Sequence, residues 1–460
     1  MEAMMDMLEA ACAAQGEARG RNAHFTAVSS DTRTIAQGAL FVALRGERFD
    51  GHDYLAAARA RGAVAAMVDR KAHGAGGEAP LPLLVVDDTR LGLGRLAAYW
   101  RGKFTLPLIA VAGSNGKTTV KEMIAAILTE HAGAGRAYAT PGNLNNDIGL
   151  PLTLLGLRAQ HNCAVVELGM NHAGETAYLA AIARPTVALV NNAQREHQEF
   201  MHSVEDVAHE HGAVFSILPA DGVGVINADD RYADYWRGLC APRRVLDFGL
   251  EQPAAVGGRY ALRDFGSDIA LRVPQGEAQV ELQAAGVHNV RNALAAAAAA
   301  AAAGVGLDAI ARGLALFRPV QGRLQKKDAR QGAVVLDDTY NANPDSVIAA
   351  IEVLARAGGQ KFLVLGDMGE VGAQGAAFHA EIGRHARAAG IDRLYLLGES
   401  CAHVAAAFGE GARRYAELDA LLAELEPGLA RGVTVLVKGS RFMRMERVVQ
   451  ALTGAQAGGH

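Results

Sequence analysis

The sequence predicts an α/β protein of three domains, and three observations carry that expectation. Its 460 residues exceed what one domain of ordinary size holds. Half of them are hydrophobic, ample for several buried cores. Short apolar runs alternate with helix-length stretches along most of the chain, the rhythm of strands joined by crossover helices.

In residues 1–95 the runs 40–44 and 83–86 read as strands and 54–61 as a helix, with a Gly/Ala loop over 73–79. The second block, 96–317, opens on Leu108-Ile109-Ala110-Val111-Ala112, a buried strand that runs into a Gly-rich turn and a helix over 119–130. Apolar strands at 164–168, 187–190 and 223–226 predict a mostly parallel sheet with helices on both faces. From 245 to 282 the spacing tightens. Alternating segments at 259–263, 269–273 and 280–282 predict a small antiparallel insertion, and 288–303 an Ala-rich helix ended by Gly304. The third block, 318–460, repeats strand and helix, with strands at 334–336, 362–365, 394–397 and 433–437 and a frayed tail after 453.

Composition narrows the function. With 45 basic against 49 acidic side chains and a net charge of -4, the chain offers no footprint for duplex nucleic acid. The acidic N-terminus is no secretory signal, and no run approaches the ~20 strongly apolar residues of a membrane span. Cys12, Cys163, Cys240 and Cys401 lie far apart without a CxxC pair, so they read as reduced, mostly buried thiols. The expected location is the cytoplasm and the expected state a monomer.

The sharpest motif is Gly113-Ser114-Asn115-Gly116-Lys117-Thr118-Thr119. A strand feeding a tight turn that opens a helix points several backbone N–H groups into one concavity. Lys117 can reach terminal phosphates there and the Thr118 hydroxyl can hold Mg²⁺. Val111 stands where the longer form of this motif has its first Gly; a merely structural Gly turn is the alternative. Glu167 ends an apolar strand in Val165-Val166-Glu167-Leu168-Gly169-Met170-Asn171-His172, where open α/β sheets place their crevice. It suits a nucleotide-bound Mg²⁺ or, equally, a helix cap. His197, in the polar run 191–200, suits a second hard cation or a substrate oxygen, against a structural role. Asn289 and Asn292 share a helix face and suit an adenine edge, although Asn289 also suits an N-cap. Arg323 suits phosphate; Asp337 and Asp338 at a strand end suit ribose hydroxyls or Mg²⁺, with an Asx-rich turn as the structural reading.

In this order the motifs resemble those of the Mur ligases, ATP-dependent amide-bond-forming enzymes of peptidoglycan precursor synthesis, over nearly the whole chain. Ser30-Asp31-Thr32-Arg33 and the run 44–52, with Gly46, Phe49, Asp50 and His52, look like UDP-binding segments. The run 141–151, with Asn143, Asn145 and Asn146, looks like a substrate-facing loop. Gly169-Met170-Asn171 and Asn341-Ala342-Asn343-Pro344 favour the members that add a dipeptide. The resemblance implies a UDP-muramoyl-binding domain (1–95), a central ATPase domain (96–317) and a mobile Rossmann-like domain (318–460). It implies that ATP phosphorylates the carboxylate of a UDP-muramoyl tripeptide and that D-alanyl-D-alanine captures the acyl phosphate. Lys117, Glu167, His197 and Arg323 would be catalytic. Thr118, Glu167 and His197 would bind Mg²⁺, Asn292 adenine and Asp338 ribose. Site completion would follow domain closure about a hinge near 317–322. A folylpolyglutamate-type ligase and a P-loop ATPase acting on a protein partner are the alternatives. One departure stands out. Many relatives carry a carbamylated lysine shortly after the metal-binding His, and His211 occupies that position here; either water and His197 suffice, or Glu210 or His211 compensates.

Overall fold

The structure, a computed structural model, describes residues 3–71 and 79–454. The expected tail beyond 454 and most of the Gly/Ala loop lie outside the described residues. Three α/β layers follow one another along the chain. In the first, Glu17–Arg19, Leu83–Val86, Ala65–Asp69, Ala39–Val42 and Ala27–Ser29 form a five-stranded sheet in that spatial order, parallel except for the first pair. The expected helix is Leu55–Ala60.

The central sheet runs Arg244–Phe248, Val223–Asn227, Val187–Val190, Leu108–Ala112, Cys163–Glu167 and Ala137–Ala139, parallel throughout. Its inner strands are buried on both faces, which is why they read as unbroken apolar runs. Arg244–Phe248 corrects the sequence reading. It belongs to this parallel sheet rather than to the antiparallel insertion, which begins at Gly257. As an edge strand covered on one face it alternates in burial, and so imitates a half-exposed hairpin strand. The Ala-rich helix, Val287–Ala302, is buried on nearly every side, its small side chains letting it lie close against the helix Lys117–Ala132 and the sheet.

The third sheet runs Gln325–Asp328, Val334–Asp338, Val433–Lys438, Gln360–Gly366, Arg393–Leu397 and Ala412–Tyr415, parallel apart from its first strand. The helix Thr89–Arg101 runs unbroken across residue 95. Its Leu93, Leu96 and Trp100 share an apolar cluster with Leu108, Leu150 and Leu168 of the central layer, so the first two layers are packed as one body. Among the described residues no helix is long and apolar enough to cross a membrane. Cys163, Cys240 and Cys401 are buried, Cys12 is exposed and all four are free.

Trp236 is fully buried in that same cluster, with its indole N–H donated to the Ala208 carbonyl at 2.9 Å. Trp236→Ala is expected to destabilise the fold by roughly 3–5 kcal/mol through the cavity it leaves. Chemical denaturation with the midpoint shifted by less than a third of that would show that the helices beside it collapse into the space.

Candidate active site

The strand Leu108–Ala112 lies between Cys163–Glu167 and Val187–Val190, to which the chain departs in opposite directions across the sheet. That switch of direction opens a crevice at the carboxyl ends of the three strands. The loops leaving them line a cavity of about 880 Å³, closed on its far side by Arg323, Asp338, Tyr340 and Asn343 of the third layer.

Gly113 and Gly116 turn the chain from strand to helix with φ of 125° and 83°. A Cβ on Gly116 would lie 2.5 Å from Asn292 Oδ1, so both the dihedral and the crowding demand glycine there. Asparagines buttress the turn. Asn292 donates to Asn289 Oδ1 (3.0 Å) and accepts from Asn191 (2.9 Å); Asn191 and Asn192 both donate to the Asn115 carbonyl (2.8 and 3.0 Å). Asn289 and Asn292 therefore line the cavity with their amides already engaged, Asn289 also with the Ala285 carbonyl. Lys117 curls over the turn, donating to the carbonyls of Gly113 (2.5 Å) and Ser114 (2.9 Å). Thr119 follows it in the first turn of the helix and also lines the cavity.

Glu167 is 2% exposed. Its Oε1 accepts from Asn145 at 2.7 Å, whereas Oε2 is buried without a hydrogen-bond partner. A buried, half-satisfied carboxylate is costly unless a cation completes it. With the buried Thr118 hydroxyl on the same cavity wall, the donor set is hard oxygen, which suits Mg²⁺. Among the described residues no three acidic, His or Cys side chains converge tightly enough to cage an ion alone. That fits Mg²⁺, which usually takes one or two carboxylates plus phosphate oxygens.

The loop after Val187–Val190 holds groups that sequence reasoning passed over. Glu196 is buried, with Oε2 3.4 Å from Lys117 Nζ and Oε1 accepting from His211 Nε2 at 2.6 Å. Burial alone would raise its carboxyl; Lys117 and the His211 hydrogen bond outweigh that and hold it down at about 2. His197 has φ of 48° and donates Nδ1–H to Glu370 at 2.6 Å; Glu370 itself sits at φ 56°. Two non-glycine residues in the left-handed region, meeting across two layers, are strained and held by their surroundings. Glu210 faces elsewhere, accepting from the N–H groups of Gly174 and Thr176 at the start of the helix Glu175–Ala183. His211, not Glu210, therefore touches the site, through its hydrogen bond to the cavity-lining Glu196.

The third layer contributes Arg323, which stacks 3.8 Å from the Tyr340 ring centroid and donates to Thr118 Oγ1 at 3.3 Å. Asp338 lines the cavity but is occupied by Lys438 Nζ (2.6 Å) and the Leu324 N–H (3.1 Å). Lys438 is itself buried and serves as the partner of Asp338. Asn343 and Asn115 exchange amide hydrogen bonds across the layers, and Asn143 donates to the Tyr340 hydroxyl at 3.0 Å. The strongest bridge is Arg195, which grips Asp345 (2.6 Å) and Glu381 (2.7 Å) from the central side. Arg195→Ala is expected to cost the joined arrangement about 1–3 kcal/mol after discounting for partial exposure. Solution scattering should then report a more open particle; an unchanged profile would show the clamp is dispensable.

Other candidates lie apart. Asn146 accepts the Gly149 N–H at 2.8 Å just ahead of the helix Gly149–Leu154, while also lining the cavity. None of Ser30, Thr32, Arg33, Gly46, Phe49, Asp50 and His52 lines it. Arg33 and Phe49 are exposed. His52 Nδ1 bonds Asp50 at 2.5 Å and its Nε2 accepts the Asp69 N–H, tying their loop to the first sheet.

Three family models match in succession: Mur ligase family, catalytic domain (residues 24–101), Mur ligase middle domain (111–300) and Mur ligase, glutamate ligase domain (322–441). The UDP-N-acetylmuramoyl-tripeptide–D-alanyl-D-alanine ligase of Escherichia coli is 43% identical, over 95% of this chain and 96% of its own. The enzyme of that name from Haemophilus influenzae is 38% identical over 94% of each. Among solved structures, MurF from Acinetobacter baumannii superposes with a TM-score of 0.89 at 33% identity, covering 96% of this chain and 97% of its own. MurF ligase from Thermotoga maritima in complex with ADP gives 0.82 at 26%, covering 92% and 96%.

Proposed function

Since the chain belongs to the Mur ligase family, we propose that it joins D-alanyl-D-alanine to UDP-N-acetylmuramoyl tripeptide, using ATP, in peptidoglycan precursor synthesis. The observation that carries this reading is the meeting of Lys117, Glu167 and Arg323 around one cavity between two layers. A carboxylate attacking the γ-phosphate brings two anions together, and dense positive charge is what that step needs. In this reading Lys117 turns from its own loop carbonyls to the phosphates, and Arg323, braced on Tyr340, neutralises charge on the transferring group. Thr118 and Glu167 would hold Mg²⁺, which supplies charge neutralisation to the phosphates. Asn292 and Asp338 flank the nucleoside. Asn143, Asn145 and Asn146 face the peptide, and Ser30, Thr32, Arg33, Gly46, Phe49, Asp50 and His52 receive the UDP end.

Atoms balance simply. A carboxylate oxygen bonds the γ-phosphorus as ADP leaves; the dipeptide amine then bonds the acyl carbon, loses a proton and expels phosphate carrying that oxygen. Oxygen-18 in the tripeptide carboxylate is expected to appear in released phosphate, with release requiring both ATP and the amine. Phosphate formed equally well without a carboxylate acceptor would replace this reading with that of a simple ATPase.

A further inference from the structure

Lys121 stands one turn beyond Lys117 on the helix Lys117–Ala132 and does not line the cavity. Its side chain is buried completely, where a lysine ordinarily extends its ammonium to water. A buried ammonium is costly unless each of its three hydrogens finds an acceptor. Here Nζ donates to the carbonyls of Thr140 (3.0 Å) and Gly142 (3.4 Å) and to the carboxylate of Glu122. Two of the three acceptors thus belong to the stretch between the strand Ala137–Ala139 and the helix Gly149–Leu154, which carries Asn143, Asn145 and Asn146. Turns alone make up that stretch, so the groups that engage its carbonyls decide where it lies. Its links run directly to the chemistry. Thr140 Oγ1 accepts the Glu167 N–H at 3.1 Å, Asn145 donates to Glu167 Oε1 at 2.7 Å, and Asn143 donates to the Tyr340 hydroxyl at 3.0 Å.

Lys121 therefore has its backbone in the helix that starts at the phosphate turn and its ammonium on the loop assigned to the peptide. We propose that Lys121 is a positioning residue for the ligase reaction, its buried ammonium holding the 140–146 loop against that helix so that the acceptor carboxylate lies at attack distance from the γ-phosphate. The inference rests on the ligase reading and deepens it. Stability alone is a poor account of the residue, because exchanging buried charges for apolar side chains of similar size is often neutral. The helix does not need it either: Val120, Met123 and Ile124 already fix the helix in the apolar core, so the phosphate turn keeps its place without the ammonium. What the ammonium adds is the spacing between two reactants, and a displacement of about 1 Å there costs about 100-fold in rate.

Lys121→Met keeps the length of the side chain and removes the ammonium. On the full chain, kcat/KM for UDP-N-acetylmuramoyl tripeptide is expected to fall about 100-fold, while Kd for a non-hydrolysable ATP analogue stays within about threefold of wild type. Amide hydrogen exchange should quicken at least about tenfold in 140–148 and stay unchanged in 113–119. A lysine that merely supported the fold would weaken nucleotide and peptide together and quicken exchange in both segments. Should Lys121→Met fail to fold, judged by thermal melting, Lys121→Gln takes its place; it retains two N–H donors for the two carbonyls, and a loss of about tenfold in kcat/KM is expected. Peptide kinetics within about threefold of wild type in the folded variant, or nucleotide affinity that falls as far as peptide kcat/KM, overturns the proposal. A wild-type chain that releases no phosphate with all three substrates present counts against the ligase reading instead. The exchange measurement needs no turnover, and unchanged exchange in 140–148 overturns the role of Lys121 on its own.

Discussion

Lys117→Ala is expected to lower kcat by about 10³-fold or more while the chain stays folded. The side chain holds no core together. Its ammonium contacts two carbonyls of its own loop and one carboxylate, and it remains 15% exposed. Glu196 keeps its His211 hydrogen bond in the variant but loses its nearest cation, so the variant is expected to melt lower than wild type while remaining folded. What disappears is a side-chain ammonium positioned over the Gly113–Gly116 turn, where the proposed reaction develops phosphate charge. Nucleotide affinity should fall less than turnover, because the backbone N–H groups of the turn and the start of the helix remain. Steady-state phosphate release beside a thermal melt decides it. Turnover within tenfold of wild type would remove Lys117 from the chemistry.

Glu167→Gln is expected to separate activity from stability, and in opposite directions. The replacement is isosteric, and its oxygen can still accept from Asn145. The other carboxylate oxygen, buried and unpartnered, becomes an amide. Turnover should fall by about 10²–10³-fold, since a neutral amide binds Mg²⁺ far less well than a carboxylate. Removing an uncompensated buried charge should leave the fold unchanged or more stable by about 1 kcal/mol when no divalent ion is present. Thermal melts in chelator, set against turnover in Mg²⁺, make the comparison. Wild-type activity, or a clearly lower melting point, would mean that Glu167 supports the fold rather than the reaction.

Much of the central layer could be read directly. The phosphate turn is local chemistry, seven successive residues between a strand and a helix, and strands buried on both faces announce themselves as apolar runs. The Asn289–Asn292 pair and Glu167 were legible for the same reason. Less could be read where structure depends on distant residues. His211 stood out only as a departure from a pattern; that it grips Glu196, fifteen positions away, required the fold. Arg195 and Glu370 are ordinary surface residue types in sequence, and only the meeting of the central and third layers makes them a clamp and a contact; Glu196 is engaged by Lys117 and His211 of its own layer. The first layer was read incompletely because several of its strands are two or three residues long, too short for any periodicity to show. Arg244–Phe248 misled because an edge position has the same alternation as a hairpin.

The helix Thr89–Arg101 belongs to two layers at once. Its consequence is practical. A fragment cut at residue 95 would sever the helix and leave Leu93 without Leu96, Trp100 and the central-layer side chains of its cluster, so it would fold poorly alone. Transplanting the front layer between related enzymes calls for a splice after Gly102 together with matching residues at Leu150 and Leu168. The front and middle layers are therefore inherited as a unit through shared apolar packing, whereas the rear layer meets the middle one through polar bridges.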